Sequence, residues 1–75
     1  MVETRQLEDD VNPRRYEYDD REVVAADFGP GHDASVDVVD GTVIVVVDGE
    51  QYDLDVDGDP RAFISNGVLT IEVEQ

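Results

Sequence analysis

Two stretches of this 75-residue chain hold residues of the types that do chemistry. The first is His32-Asp33-Ala34-Ser35, which contains the only histidine of the sequence. A base, a carboxylate and a hydroxyl are the parts of a nucleophilic site, but that chemistry needs the base held against the nucleophile by a third group. Near neighbours in one Gly/Pro loop do not supply that geometry, so a surface turn histidine is expected. The second stretch, Asp53-Leu54-Asp55-Val56-Asp57-Gly58-Asp59, opens like a calcium loop of the EF-hand type. That loop demands Glu at its twelfth place, where Ile64 stands. Leu54 and Val56 also read as inward-pointing strand residues. Weak cation binding by Asp55, Asp57 and Asp59 is the most this run offers, against the plainer reading of a solvated acidic face. Carboxylates are so abundant that no pair stands out for acid–base work. No catalytic residue, dedicated metal site or cofactor is expected, and the chain is not read as an enzyme.

The element that would position any site is the stretch from Ser35 to Val56. It holds Asp40-Gly41 and Asp48-Gly49, each between β-branched runs, which is the strongest short-range signal for a two-residue hairpin. Such turns fix the register. Around the first, Val38 faces Val43 and Val36 faces Val45. Around the second, Val45 faces Tyr52 and Val43 faces Leu54. Side chains alternate across a sheet, so all six land on one face. The other face carries Asp37, Thr42, Ile44, Val46, Gln51, Asp53 and Asp55. The two turns agree on which side is apolar, and the stretch reads as a three-stranded meander with one face to bury.

The flanks extend this pattern. Residues 1–15 are acidic with little periodicity, and Val2, Leu7 and Val11 are isolated apolar residues. They read as a mobile arm docking weakly through Leu7 or Val11, with at most a short helix from Glu3 to Asp10. Residues 16–75 read as the folded domain. Tyr16-Glu17-Tyr18 is an expected edge strand, Asp19-Asp20-Arg21-Glu22 a turn, and Val23 to Phe28 a strand with Val24, Ala26 and Phe28 on one side. Gly29-Pro30-Gly31 ends it. The last element, Arg61 to Val73, is split by Asn66-Gly67. There Ile64 faces Leu69 and Ala62 faces Ile71, with Val73 on the same side. Two sheets with one apolar face each stack most simply as a sandwich.

Composition bounds the setting. The formal net charge is −15, all five cationic residues are Arg, and thirteen of the twenty acids are Asp. An acidic chain with few aromatics usually reads as disordered, but fourteen valines in alternation argue for a folded protein. At about 1 M salt the Debye length falls to roughly 3 Å, which screens self-repulsion. A halophilic cytoplasm is therefore expected. The Arg14-Arg15 and Arg21 cluster is surrounded by acids, so nucleic acid is not an expected partner. No apolar run is long enough to span a membrane, and no basic-then-apolar leader is read. A cytoplasmic protein is expected.

Three segments resemble a known family. Ala26-Asp27-Phe28-Gly29-Pro30-Gly31 is similar to the Ala-Asp-Leu-Pro-Gly strand end of α-crystallin domains. Asp40-Gly41-Thr42-Val43-Ile44-Val45 is similar to their Gly-x-Leu-x-Ile strand. The run Ala62 to Val73 resembles the Ala-x-Leu-x-Asn-Gly-Val-Leu-Thr-Val-x-Val signature of small heat-shock proteins. The resemblance implies an all-β, immunoglobulin-like antiparallel β-sandwich of the α-crystallin or CS type. It implies an ATP-independent holdase that binds protein clients, with a CS-like adaptor module as the alternative. Asp48-Gly49 closes in two residues the gap where microbial members carry an exchange loop, so a monomer or small homodimer is expected. Ile44, Val46, Phe63, Ser65 and Val68, on faces expected to be outward, are the candidate partner-binding residues, by edge pairing or face contact.

Overall fold

A computed structural model describes residues 2, 7 and 11–74. Seven strands follow in chain order: β1 (Arg14–Glu17), β2 (Arg21–Asp27), β3 (Ala34–Val39), β4 (Thr42–Val47), β5 (Glu50–Asp55), β6 (Pro60–Ser65) and β7 (Val68–Glu74). They form two antiparallel sheets, β1-β2-β7-β6 and β3-β4-β5. The protein is an all-β sandwich.

The three hairpins carry the register. Asp40, Asp48 and Asn66 have φ of 48°, 52° and 52°, and the glycine after each is also left-handed. Two consecutive positive-φ residues define the turn whose twist matches that of paired strands, and Asp, Asn and Gly tolerate it best. The pairs Val38–Val43, Val36–Val45, Val45–Tyr52 and Val43–Leu54 follow. So do Ile64–Leu69 and Ala62–Ile71 in the third hairpin. Gly67 has a second duty. Its carbonyl accepts from the Phe28 amide at 2.8 Å, and a Cβ built on it would clash with the Gly29 carbonyl oxygen. The third hairpin thus rests directly on the loop after β2.

The non-local pairing puts β7 between β2 and β6, with Val24 opposite Ile71 and Ala26 opposite Leu69. The core between the sheets holds Val24, Ala26, Val43, Val45, Tyr52, Leu54, Leu69, Ile71 and Val73, with Phe28, Val36, Ala62 and Ile64 packed against it. Val38, expected inside, is 37% exposed near the end of β3. Val47 continues the inward alternation of β4 and is buried.

Two features depart from the sequence reading. The edge strand begins at Arg14 and ends at Glu17, so it is shifted toward the N-terminus from Tyr16-Glu17-Tyr18. The stretch read as a turn ends inside β2, which starts at Arg21 and buries Glu22 at 2% exposure. Within the expected arm, Val2 and Leu7 are both fully buried members of the core. Val2 bridges Val56 just past β5. The Leu7 carbonyl accepts from the Val11 amide at 2.8 Å. Complete burial of a Val or Leu side chain contributes roughly 1.5–3 kcal/mol, so these two contacts are not weak docking. The helix expected from Glu3 to Asp10 otherwise lies outside the described residues.

Candidate functional site: an end cleft and a neutral sheet face

At one end of the sandwich the loop after β2 meets the β4–β5 turn. The Asp48 amide donates to the Asp33 carbonyl at 2.9 Å, and the Asp33 amide donates to Asp48 Oδ1 at 3.1 Å. His32 Nδ1 lies 2.5 Å from Asp48 Oδ2. These contacts hold the Asp48 carboxyl below its ordinary range, the His32 hydrogen bond first and the Asp33 amide second. Between loop and turn is an open cleft of about 410 Å³, lined by Val11, Phe28, His32, Val47, Asp48, Glu50 and Tyr52. The Phe28 and Tyr52 rings meet at 6.3 Å with a 36° tilt, a favourable aromatic contact. The Tyr52 hydroxyl donates to Glu50 Oε2 at 3.1 Å.

The histidine is a surface residue, and its carboxylate partner is Asp48, sixteen positions on. Ser35 lies on the outer face of β3, opposite Val46. Asp55 ends β5, and Asp57 and Asp59 follow it. Asp55, Asp57 and Asp59 are all exposed, and among the described residues no three His, Cys, Asp or Glu side chains converge to hold a metal ion.

The five candidate partner-binding residues do not form one surface. Ile44 and Val46 lie on the outer face of β3-β4-β5, half-buried between Asp37 and Asp53 and between Ser35 and Gln51. Phe63, Ser65 and Val68 lie on the outer face of the other sheet, with Ser65 opposite Val68 and Phe63 opposite Thr70. Phe63 is 54% exposed.

Those two outer faces differ in charge. Alternation gives the β3-β4-β5 face Asp37, Asp53 and Asp55, and its three strands hold no cationic residue. It gives the four-stranded face Arg14, Arg21 and Arg61 against Asp27, Glu72 and Glu74. Register sets rows across the latter: Arg14–Ala25–Thr70–Phe63 and Tyr16–Val23–Glu72–Arg61. In a chain of net charge −15, the strand residues of one broad face balance in charge, with Asp20 against Arg21 and Asp59 near Arg61 at its margin; the face carries exposed Tyr16 and Phe63 and sets Val23, Ala25 and Val68 between them. Sequence reasoning missed Tyr16, Val23 and Ala25 as part of this surface, because only the β2–β7 pairing brings them beside Phe63.

Among the described residues no helix is long and apolar enough to cross a membrane. Comparison with curated proteins gives no match, and comparison with solved structures gives none either. The kinship with α-crystallin domains drawn from Ala26–Gly31, Asp40–Val45 and Ala62–Val73 is corrected by the family comparison. The model that matches, over residues 1–73, is that of another family, described as a family of unknown function, DUF7127. The shared strings are what Asp-Gly and Asn-Gly hairpins with apolar alternation produce in a small sandwich. The match spans nearly the whole chain, and the chain belongs to the DUF7127 family.

Proposed function

We propose that this domain is a protein-binding adaptor that docks its partner on the outer face of β1-β2-β7-β6. The observation that supports this reading is the neutrality of that face on a strongly acidic molecule. Exposed aromatics interleaved with arginine are the side chains enriched at the centres of protein interfaces, whereas acids are depleted there. Phe63 on the edge strand β6 and Tyr16 on the edge strand β1 would bracket the contact. The setting we infer from the charge is a high-salt cytoplasm, where the acidic remainder keeps the molecule dispersed. A holdase role rested on the corrected kinship and has no separate support in the site; the adaptor reading rests on the face alone.

The test is crosslinking in cells broken in molar KCl, followed by purification of the wild-type chain and two variants. Phe63→Glu charges the neutral face, and Ile44→Glu charges the acidic one. One defined partner captured by wild type and Ile44→Glu but lost from Phe63→Glu supports the reading. Equal capture by all three overturns it. Light scattering on the purified chain reports whether the partner is a second copy.

A further inference from the structure

The end cleft has a chemistry of its own. Its floor is apolar: Phe28 and Tyr52 in ring contact, with Val11 and buried Val47 beside them. Its rim carries the Asp48 and Glu50 carboxylates, with His32 hydrogen-bonded to Asp48. Among the described residues no arginine lines the cleft. We propose that the cleft receives an arginine or lysine side chain from a basic segment of a partner protein.

The fit follows from the side chain's two parts. An arginine or lysine stem is apolar and lies well along aromatic and valine surface, while the head stays at the polar rim. A cation near an aromatic face is attracted by the negative face of the ring. A carboxylate offers about four acceptor positions. Asp48 uses its oxygens on His32 Nδ1 and the Asp33 amide, and Glu50 takes the Tyr52 hydroxyl on Oε2. Both keep acceptor capacity toward a guanidinium. The Asp48 carboxyl is held below its ordinary range, so it is charged wherever the protein is folded near neutrality. The cleft volume of about 410 Å³ lies within the roughly 300–1,000 Å³ of ligand pockets, enough for one long side chain and its flanking backbone.

This inference shares with the adaptor reading only that the occupant is a protein, and its residues do not overlap the neutral face. The probe is a capped Gly-Arg-Leu-Arg-Gly peptide. Its control replaces both arginines by citrulline, which keeps shape and removes charge. Both are titrated into the full chain, followed by amide chemical shifts at the lowest salt that keeps the fold. The expected result is shifts at Phe28, His32, Glu50 and Tyr52 with the arginine peptide, and at least tenfold weaker binding of the citrulline peptide. Glu50→Gln and the double variant Asp48→Asn/Glu50→Gln should each weaken the arginine peptide, the double variant by tenfold or more. Phe63→Glu should leave it unchanged even if partner capture is lost. Equal binding of the two peptides overturns the proposal. So do shifts confined to Asp37, Asp53 and Asp55, or no shift at millimolar peptide. Glu50→Gln, with its exposed carboxylate made neutral, keeps the test valid if the double variant does not fold.

Discussion

Arg15 Nε lies 3.1 Å from Glu22 Oε2, and the same guanidinium donates from Nη2 to the Val2 carbonyl at 2.7 Å. One side chain on β1 thus meets a buried carboxylate on β2 and the segment that precedes both strands. Arg15 sits opposite Val24, two residues along from Glu22, so the pair is a diagonal cross-strand contact on the inner side of the sheet. Val2 in turn bridges Val56 beyond β5. The contact therefore ties the edge of one sheet to the edge of the other.

Removing Arg15 should cost more than an exposed ion pair does. Breaking a buried pair from one side costs about 3–5 kcal/mol because a charge is left in the interior. The Arg15 side chain is 30% exposed, so solvent screening lowers the expected cost of Arg15→Met to about 2 kcal/mol. Pairing it with Glu22→Leu should restore most of that stability. Urea unfolding in molar KCl measures both. A double variant no more stable than Arg15→Met would show that the carboxylate does not depend on this arginine.

Leu7→Ala tests whether the N-terminal segment belongs to the core. Truncating a fully buried leucine costs about 2–5 kcal/mol, and Leu7 has no exposed surface. A shift in the urea midpoint matching that range is expected. A loss below about 0.5 kcal/mol, the usual size of a surface change, would return residues 1–15 to the status of a loose arm.

The hairpins were legible because Asp-Gly and Asn-Gly leave few registers open, and one register determines the inner face of two strands at once. Glu22 was not legible. An acid beside Asp19, Asp20 and Arg21 reads as turn, and nothing local to it points to Arg15 across the sheet. Leu7 was read only as a weak docking point and Val2 as an isolated residue, because isolated apolar residues carry no periodicity; their full burial is tertiary. The cleft was hidden for a similar reason. Phe28 and His32 come from one loop, Asp48 and Glu50 from a turn beyond two strands, and nothing in either segment names the other. The five candidate contact residues were read from alternation, which assigns a face to each strand but not which strands share a sheet.

Gly67→Ala should be among the most damaging single-methyl additions in this chain. The position has φ of 78°, which costs a residue with a Cβ about 1–2 kcal/mol. The added carbon would also meet the backbone of Gly29, which cannot swing aside as a side chain can. A loss above about 2 kcal/mol is expected, against about 1–2 kcal/mol for Gly49→Ala, where a Cβ meets nothing within 4 Å. Equal losses would remove the close approach as the cause.

Asp48 supplies a pH signature. Its carboxyl is lowered by His32 and then by the Asp33 amide, so the folded state favours the ionised form. The contribution is present above the ordinary carboxylate value of 3.8 and disappears as pH falls through the lower folded value. Asp48→Asn keeps the left-handed turn and removes the titration. The stability difference between wild type and Asp48→Asn should therefore shrink in wild type's disfavour below about pH 4. A difference independent of pH would show that the His32 contact does not favour the carboxylate.

The charge asymmetry predicts where salt acts. Ile44 has Asp37 on one side and Asp53 on the other, so those carboxylates stand about two strand spacings apart, roughly 9–10 Å. That is near the Debye length of about 10 Å at 0.1 M salt, and far beyond the roughly 3 Å at 1 M. Asp55 follows on the same face, and none of its three strands holds an arginine to offset the repulsion. Far-UV circular dichroism should show more strand in molar KCl than in dilute buffer, and urea midpoints should rise with KCl. The triple variant Asp37→Asn/Asp53→Asn/Asp55→Asn should be more stable in dilute buffer and respond less to KCl. Screening saturates once the Debye length falls below the charge spacing, whereas strengthening of apolar burial by excluded salts continues to grow. A midpoint that keeps climbing beyond 1 M, equally in wild type and the triple variant, would transfer the salt effect from the acidic face to the core.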